Sequence, residues 1–374
     1  MTMNLRQMFP LGKAYGAAFC NRVEETHKLI GNIESGKHTF LVAPRRYGKS
    51  SLCEHAFEHI KFAWSKIDFH LAMNEKDVER IIINGVTDLI GKSVGSLDKM
   101  IHLIKGLTKK LQPKLVLSSD HLKLELAFSN DSSPAENIAE ALFVLENLLK
   151  EKNKQAVLLL DEFQEIGLMK DGRALEGAIR HVAQETKQLA LIFCGSNPHL
   201  LQNMFEDERR PLYKLCRKLV LDRISKSHYK AHLNHVAKEL WSTDLELNVF
   251  DKIMDLTERH PYYVNYLCDT LCSECKELPT LEDVEKAWRD VVEEERSDLI
   301  KDFSSLAINQ RRVMIQIANH GGLNIFSSEA SKQMDIPINS VSRAVSALIE
   351  KDYIEKTDHE YRLIVPAFKQ LLCL

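Results

Sequence analysis

Three short stretches of the chain carry side chains suited to phosphate, a divalent cation and water. They are Ala43-Pro44-Arg45-Arg46-Tyr47-Gly48-Lys49-Ser50, then Asp161-Glu162, then Gly195-Ser196-Asn197. A loop running into a helix at Gly-Lys-Ser offers main-chain N–H groups and the positive end of the helix dipole to an anion. Gly48 lets the backbone approach closely, Lys49 neutralises charge on the β- and γ-phosphates, and the Ser50 hydroxyl completes a Mg2+ shell. Pro44 through Ser51 are therefore candidate nucleotide-binding residues, with Lys49 also placed among the catalytic ones. The pattern G-x-x-x-x-G-K-[ST] is met with one departure, Ala43 in place of the first glycine. Gly-Lys-Ser alone is also what a basic surface turn could contain, so the flanking elements have to decide.

They favour the phosphate loop. Thr39 to Ala43 is a short apolar, β-rich run bounded by turn residues, and Lys49 to Ile60 is helical in pattern. Downstream, Val157-Leu158-Leu159-Leu160 ends in Asp161-Glu162. Ligands of parallel α/β sheets sit at the carboxyl ends of strands, which turns these acids toward a nucleotide. Asp161 is the candidate for holding Mg2+ through water, and Glu162 for polarising the attacking water. Standing alone, an Asp-Glu pair after a strand would read as a helix N-cap. Leu191 to Asn197 ends a further apolar strand in a polar cluster, where Asn197 or Ser196 could touch the γ-phosphate, or simply make the turn before Pro198.

Positioning these groups requires alternating elements. Strand patterns at Trp64–Leu71, Lys123–Phe128, Ala156–Leu160, Leu189–Cys194 and Arg217–Leu221 are separated by helical patterns at Asp77–Leu111, Pro134–Lys150 and Arg173–Lys187. Ser132 and Ser133 before Pro134 offer a cap with proline in the first turn. Continuous apolar strands between helices predict an α/β fold with a parallel sheet covered on both faces. From Ser225 to Ile300 only helices are read, broken near Thr243, His260 and Pro279, and the character changes again over the last part of the chain.

Composition sets wide limits. The 374 residues suffice for two or three domains, and 28% charged with 44% hydrophobic residues is ordinary for a globular protein. A net charge of -3 gives no global attraction to nucleic acid or membrane. No secretion signal and no membrane-spanning apolar run are read, so a cytoplasmic protein without membrane contact is expected. Cys268, Cys272 and Cys275 have a C-x3-C-x2-C spacing known from iron–sulfur sites, but they share helical spacing with Val264, Leu267 and Leu271, as core residues would.

In combination these stretches resemble the archaeal-type STAND ATPases of the AAA+ lineage. In that family an F-x-x-R-x-x-E segment, here within Ala18-Phe19-Cys20-Asn21-Arg22-Val23-Glu24-Glu25, precedes a P-R-R-x-G-K-[ST] loop, here Pro44 to Ser50. Asp161-Glu162-Phe163-Gln164-Glu165, Pro211-Leu212-Tyr213 and His260-Pro261-Tyr262-Tyr263 also match, and the likeness covers roughly residues 15–290. It implies an ATPase core, a helical lid, and a nucleotide-dependent switch or homo-oligomer. Phe19 and Arg22 would contribute adenine and loop contacts, and Pro261 would sit near the base. The family often carries a trans-acting arginine soon after Pro-Leu-Tyr. Here Lys214, Leu215 and Cys216 intervene before Arg217, and Arg209, Arg210 and Arg217 compete for that role. Arg45 and Arg46 would brace the loop or carboxylates.

Leu306 to Leu374 reads as three helices and a hairpin, with turn residues near Asp358, and resembles a winged helix–turn–helix. In its third helix Ile338, Val341, Val345, Leu348 and Ile349 form an apolar face, and Asn339, Ser342, Arg343 and Ser346 lie opposite, as a DNA-reading helix would have them. Acids and bases nearly balance, so packing on the core or a protein partner competes with DNA binding. The expected organisation is an AAA+-like P-loop core over 1–224, a helical lid over 225–303 and a winged helix over 304–374. The expected function is a slowly turning ATPase switch using ATP and Mg2+. The alternative is a DNA-binding regulator or initiator-like protein that keeps ATP mainly as a structural ligand.

Overall fold

The apolar runs at Thr39–Val42, Ala156–Asp161 and Leu189–Cys194 become strands that are buried along their whole length. In the computed structural model, residues 8–94, 104–106, 111–118, 121–128, 132–357 and 359–373 are described. The strands are β1 (Thr39–Val42), β2 (Ala63–Asp68), the hairpin β3 (Leu111–Ser118) and β4 (His121–Phe128), β5 (Ala156–Asp161), β6 (Leu189–Cys194), β7 (Arg217–Val220), and a second hairpin β8 (Ile354–Lys356) and β9 (Tyr361–Leu363). Five of them form one parallel sheet in the order β2-β5-β6-β1-β7. Every residue of β5 and β6 is buried, which is why these segments read as unbroken apolar runs and not as alternating ones. Parallel pairing sends all the carboxyl ends to one edge, and β6 separates the end of β1 from Asp161 at the end of β5.

The chain divides into two compact units. One comprises residues 23–43 and 52–221 and holds the sheet. Its core joins Phe40, Leu158, Leu160, Phe163, Phe193 and Phe205 to the apolar faces of the helices Glu75–Val94, Pro134–Glu151 and Gly172–Glu185. Ser133 caps Pro134–Glu151 in a capping box with Glu136. Of the one or two helices expected over Asp77–Leu111, Glu75–Val94 and residues 104–106 are helical, and Leu111 instead opens strand β3. The parts of that span at 95–103 and 107–110 lie outside the described residues, as does Asp358.

The other unit comprises residues 1–22, 44–51 and 222–374. Here the helices Lys226–Trp241, Leu247–Leu256, Pro261–Glu274 and Leu281–Ser304 are followed by Ile308–His320, Ser328–Met334, Ile338–Glu350, the β8–β9 hairpin and a closing helix Ala367–Leu372 that the sequence pattern did not announce. Its core includes Tyr229, Tyr263, Val264, Leu267, Trp288, Val341, Val345 and Phe368, with Cys268 inside it and Cys272 and Cys275 packed against it. Among the described residues, no helix is long and apolar enough to cross a membrane.

Candidate nucleotide site

The loop after β1 is closed on itself. Lys49, the first residue of the helix Lys49–Glu58, is only 9% exposed and donates from Nζ to the Pro44 carbonyl at 3.0 Å. Gly48 has φ +86°, a left-handed conformation that only glycine adopts cheaply, and a Cβ built there would meet nothing within 4 Å. Glycine is thus required by the backbone, while the space beside it is open. Arg46 is also left-handed, with φ +65°. Arg22 Nη2 donates to the Tyr47 carbonyl at 3.3 Å, and the Ala14 N–H donates to Ser51 Oγ at 3.1 Å, so the N-terminal segment holds the loop from two sides. Phe19 closes the short helical turn Gly16–Ala18 just before Arg22. Arg45 is exposed, and Pro44 and Ser50 are half-buried.

Arg46 reaches the helices Pro261–Glu274 and Leu281–Ser304. Its guanidinium lies 4.0 Å from the Tyr262 ring centroid and 3.2 Å from Glu295 Oε1. Tyr262 and Tyr263 both donate their hydroxyls to Glu295, at 2.8 and 2.5 Å. Pro261 stands at the first turn of its helix, directly after His260, whose buried ring meets the Tyr47 ring edge-on with centroids 4.9 Å apart. Burial, reinforced by the charges of Arg223 and Arg46, pushes the His260 pKa well down, so this imidazole is neutral.

At the sheet edge, Asp161 Oδ2 is 2.6 Å from Lys66 Nζ and Oδ1 accepts the Glu162 N–H at 3.1 Å. Lys66 is on β2, the strand paired with β5. Burial works against its charge, but the hydrogen bond and charge of Asp161, with Asp68 and Glu54, outweigh burial and raise its pKa. Glu162 has φ +53°. A non-glycine residue held there costs about 1–3 kcal/mol and is common at functional sites. It is pinned on both sides: Phe163 N–H donates to the Cys194 carbonyl at 2.9 Å, and Glu162 Oε2 accepts from Ser196 Oγ at 2.7 Å, Ser196 N–H at 3.2 Å and Gln164 Nε2 at 2.6 Å. Gly195 leaves room for Gln164, since a Cβ there would lie 2.0 Å from Gln164 Oε1. Asn197 Oδ1 accepts the Leu200 N–H and caps the helix Pro198–Glu206.

The three competing arginines have different surroundings. Arg209 chelates Asp207, Arg210 meets the fully buried Glu176, and Arg217 is exposed at the start of β7. Arg180 ties down the Pro211-Leu212-Tyr213 turn by donating to the Pro211 and Tyr213 carbonyls. On the helix Ile338–Glu350, Asn339, Ser342, Arg343 and Ser346 are all exposed, while Val341, Val345 and Leu348 are buried.

Lys66, Gln164, Glu295 and Arg223 take part in these contacts without having been found in the sequence. Lys66 had a usable signal, a charge inside a strand, two residues before the Asp68 that pairs with Asp161. Gln164 is adjacent to the acids and could have been weighed with them. Glu295 and Arg223 belong to no local motif.

A parallel sheet with a phosphate-type loop after β1, an acidic strand end on β5 and β6 between them defines a P-loop ATPase fold related to AAA+ proteins. A family profile described as an ATPase domain predominantly from Archaea matches residues 19–267, and the chain belongs to that family of ATP-binding, ATP-hydrolysing domains. Among solved structures it is similar to a Walker-type ATPase of Pyrococcus abyssi, at 18% identity and TM-score 0.68, covering 98% of this chain and 99% of that one. It is also similar to the ORC2 protein of Aeropyrum pernix in its ADPNP–ADP complexes, at 14% identity and TM-score 0.57, covering 98% and 96%. No curated protein matches the sequence.

Proposed function

We propose that this ATPase is a cytoplasmic molecular switch of the STAND type, whose nucleotide state controls conformation or homo-oligomeric assembly. The proposed division is an ATPase core over 1–224, a lid over 225–303 and a winged helix over 304–374. The observation that carries the reading is Arg46: a residue of the phosphate loop itself is held by Tyr262 and Glu295 of the lid segment. A loop that reshapes around phosphate must then shift those contacts or resist the change.

The roles follow from the donors available. Main-chain N–H groups from Arg45 to Ser51 and the Lys49 ammonium hold the phosphates, with Lys49 exchanging its Pro44 carbonyl partner for phosphate oxygens. Phe19, Arg22 and Pro261 form the surroundings of the base. The Ser50 hydroxyl and the Asp161 carboxylate, both hard oxygen donors, suit Mg2+, and the ordered Asp161 carboxylate at the carboxyl edge of the sheet fits that use. Mg2+ supplies charge neutralisation on the phosphates when bound. Glu162 orients and polarises the attacking water, held ready by Ser196 and Gln164. Asn197 acts here by fixing the turn that carries Ser196. Arg217, exposed on its strand, is the arginine offered to a neighbouring subunit. The ADPNP–ADP complexes of the similarly folded Aeropyrum pernix protein support nucleotide binding by this fold.

Calorimetric titration with ATP tests this directly. Lys49→Ala is expected to lose ATP binding, while Glu162→Gln keeps it and loses hydrolysis by about 100-fold or more. Unchanged affinity in Lys49→Ala would overturn the site. A second reading, a DNA-binding regulator holding ATP as a structural ligand, is favoured by the exposed Asn339, Ser342, Arg343 and Ser346 face. It requires salt-sensitive duplex binding that Arg343→Ala abolishes, together with negligible turnover.

A further inference from the structure

Tyr47 lies between Arg46 and Gly48 in the phosphate loop, yet its side chain points away from solvent and is 1% exposed. Its hydroxyl accepts from Arg223 Nε at 3.0 Å and donates to Glu355 Oε1 at 3.1 Å, which uses both capacities of a phenol. Burial raises the Tyr47 pKa, so it stays a phenol. The Arg223 side chain is fully buried. Nη1 donates to the Glu258 carbonyl and carboxylate, each at 2.9 Å, and Nη2 donates to the Leu363 and Ile364 carbonyls at 3.0 and 3.2 Å and lies 3.1 Å from Glu355. Arg362 Nε adds a 2.7 Å bond to the same Glu355 oxygen. Leu363 closes β9, Ile364 follows it, and Glu355 is the centre of β8.

We infer that Arg223 is a positioning residue for the phosphate loop, and that through the Tyr47 hydroxyl it makes the loop's shape depend on the β8–β9 hairpin. This rests on the reading of residues 43–50 as the ATP site. The physical reason is stoichiometric. Every direction of the guanidinium has an acceptor, and a buried polar network of that kind is costly to disturb at any one member. A small displacement of the Tyr47 backbone on phosphate binding cannot be absorbed by solvent, because no solvent reaches the phenol. It has to be absorbed by Glu355 and the hairpin carbonyls, or the bond has to break. Coupling of that kind is reciprocal: whatever moves the hairpin changes nucleotide affinity by the same factor as nucleotide changes the hairpin equilibrium.

The test uses the full chain, ADP and ATP, and the variants Tyr47→Phe, Glu355→Gln and their combination. Affinity is read by calorimetry, and hairpin behaviour by amide hydrogen exchange over residues 354–364. In the wild type, ADP is expected to change exchange in the hairpin. Tyr47→Phe should bind ADP about fivefold or more weakly and lose that change. The double variant should be no weaker than either single one, because both remove the same link. Wild-type binding with unaltered hairpin exchange overturns the inference, as do an unchanged or tightened affinity in Tyr47→Phe and losses that multiply in the double variant. Absence of any nucleotide binding by the wild type is a distinct result: it removes the proposed function, and the inference falls with it.

Discussion

Arg210 and Arg223 are both drawn out of water against glutamate, one in the sheet-bearing unit and one in the helical unit. Arg210 meets Glu176, whose side chain is 0% exposed, but Arg210 Nε and Glu176 Oε2 are left without hydrogen-bond partners. Burial pushes the Glu176 pKa up to about 7 against the opposing pull of Arg210 and Arg173. Arg223 has acceptors for Nε, Nη1 and Nη2, three of them backbone carbonyls that cannot titrate. The same pair of residue types therefore gives a half-satisfied contact that responds to pH and a saturated one that fixes geometry. The number of partners separates the two cases, together with the full burial of the Glu176 carboxylate where Glu258 and Glu355 keep some exposure.

Three measurements sharpen or break that contrast. The largest effect is expected from Arg223→Met, which removes the donor to the Glu258 carbonyl and carboxylate and to the Leu363 and Ile364 carbonyls, and leaves Glu355 with Tyr47 and Arg362 alone. Breaking a buried pair from one side costs about 3–5 kcal/mol, read from urea unfolding of the full chain. A loss below about 1 kcal/mol would put Arg223 on a level with a surface residue. Next, replacing both members of the other pair, Arg210→Met with Glu176→Leu, should be neutral or stabilising by about 1–4 kcal/mol, because it removes two incompletely bonded charges together. A clear loss would mean that the pair does more than offset its own desolvation.

The third measurement is the pH profile. Glu176 has a folded pKa of about 7, above the roughly 4.3 of an unfolded glutamate. Its contribution to stability is fully present below the unfolded pKa and declines as pH rises through about 7. Subtracting the melting profile of Glu176→Gln from that of the wild type across this window should isolate the decline. A flat difference would show that the carboxylate is ionised throughout.

The centre of the sheet was legible because β1, β5 and β6 are buried on both faces. Leu189–Cys194 is a strand with the limits its apolar run suggests, and Thr39–Val42 differs only by the loss of Ala43 to the loop. The breaks at Thr243, His260 and Pro279 fall at helix ends for the reason they were read, since Pro261 opens a helix and Thr280 caps one. Leu111 was misassigned because an alternating leucine pattern beside lysine fits a helix and a strand almost equally over a short window. At the site, Gly48, Lys49, Asp161 and Glu162 were readable as local patterns. The contacts of Arg223, Glu355 and Glu295 were not, because their partners are up to 308 residues away in sequence and no spacing rule connects them.

The last strand of the sheet has a consequence for how these molecules tolerate one another at high concentration. β7 is four residues long, lies at the edge of the sheet, and exposes Arg217, Lys218 and Val220 while burying only Leu219, with Lys218 paired to Glu206 at 2.7 Å. An open sheet edge is a template on which stray β-segments can zip and grow into fibres. A stray segment arriving at this edge meets two cationic side chains on a very short ladder and must strip their water before its first hydrogen bond forms. Those charges act as gatekeepers against uncontrolled strand addition.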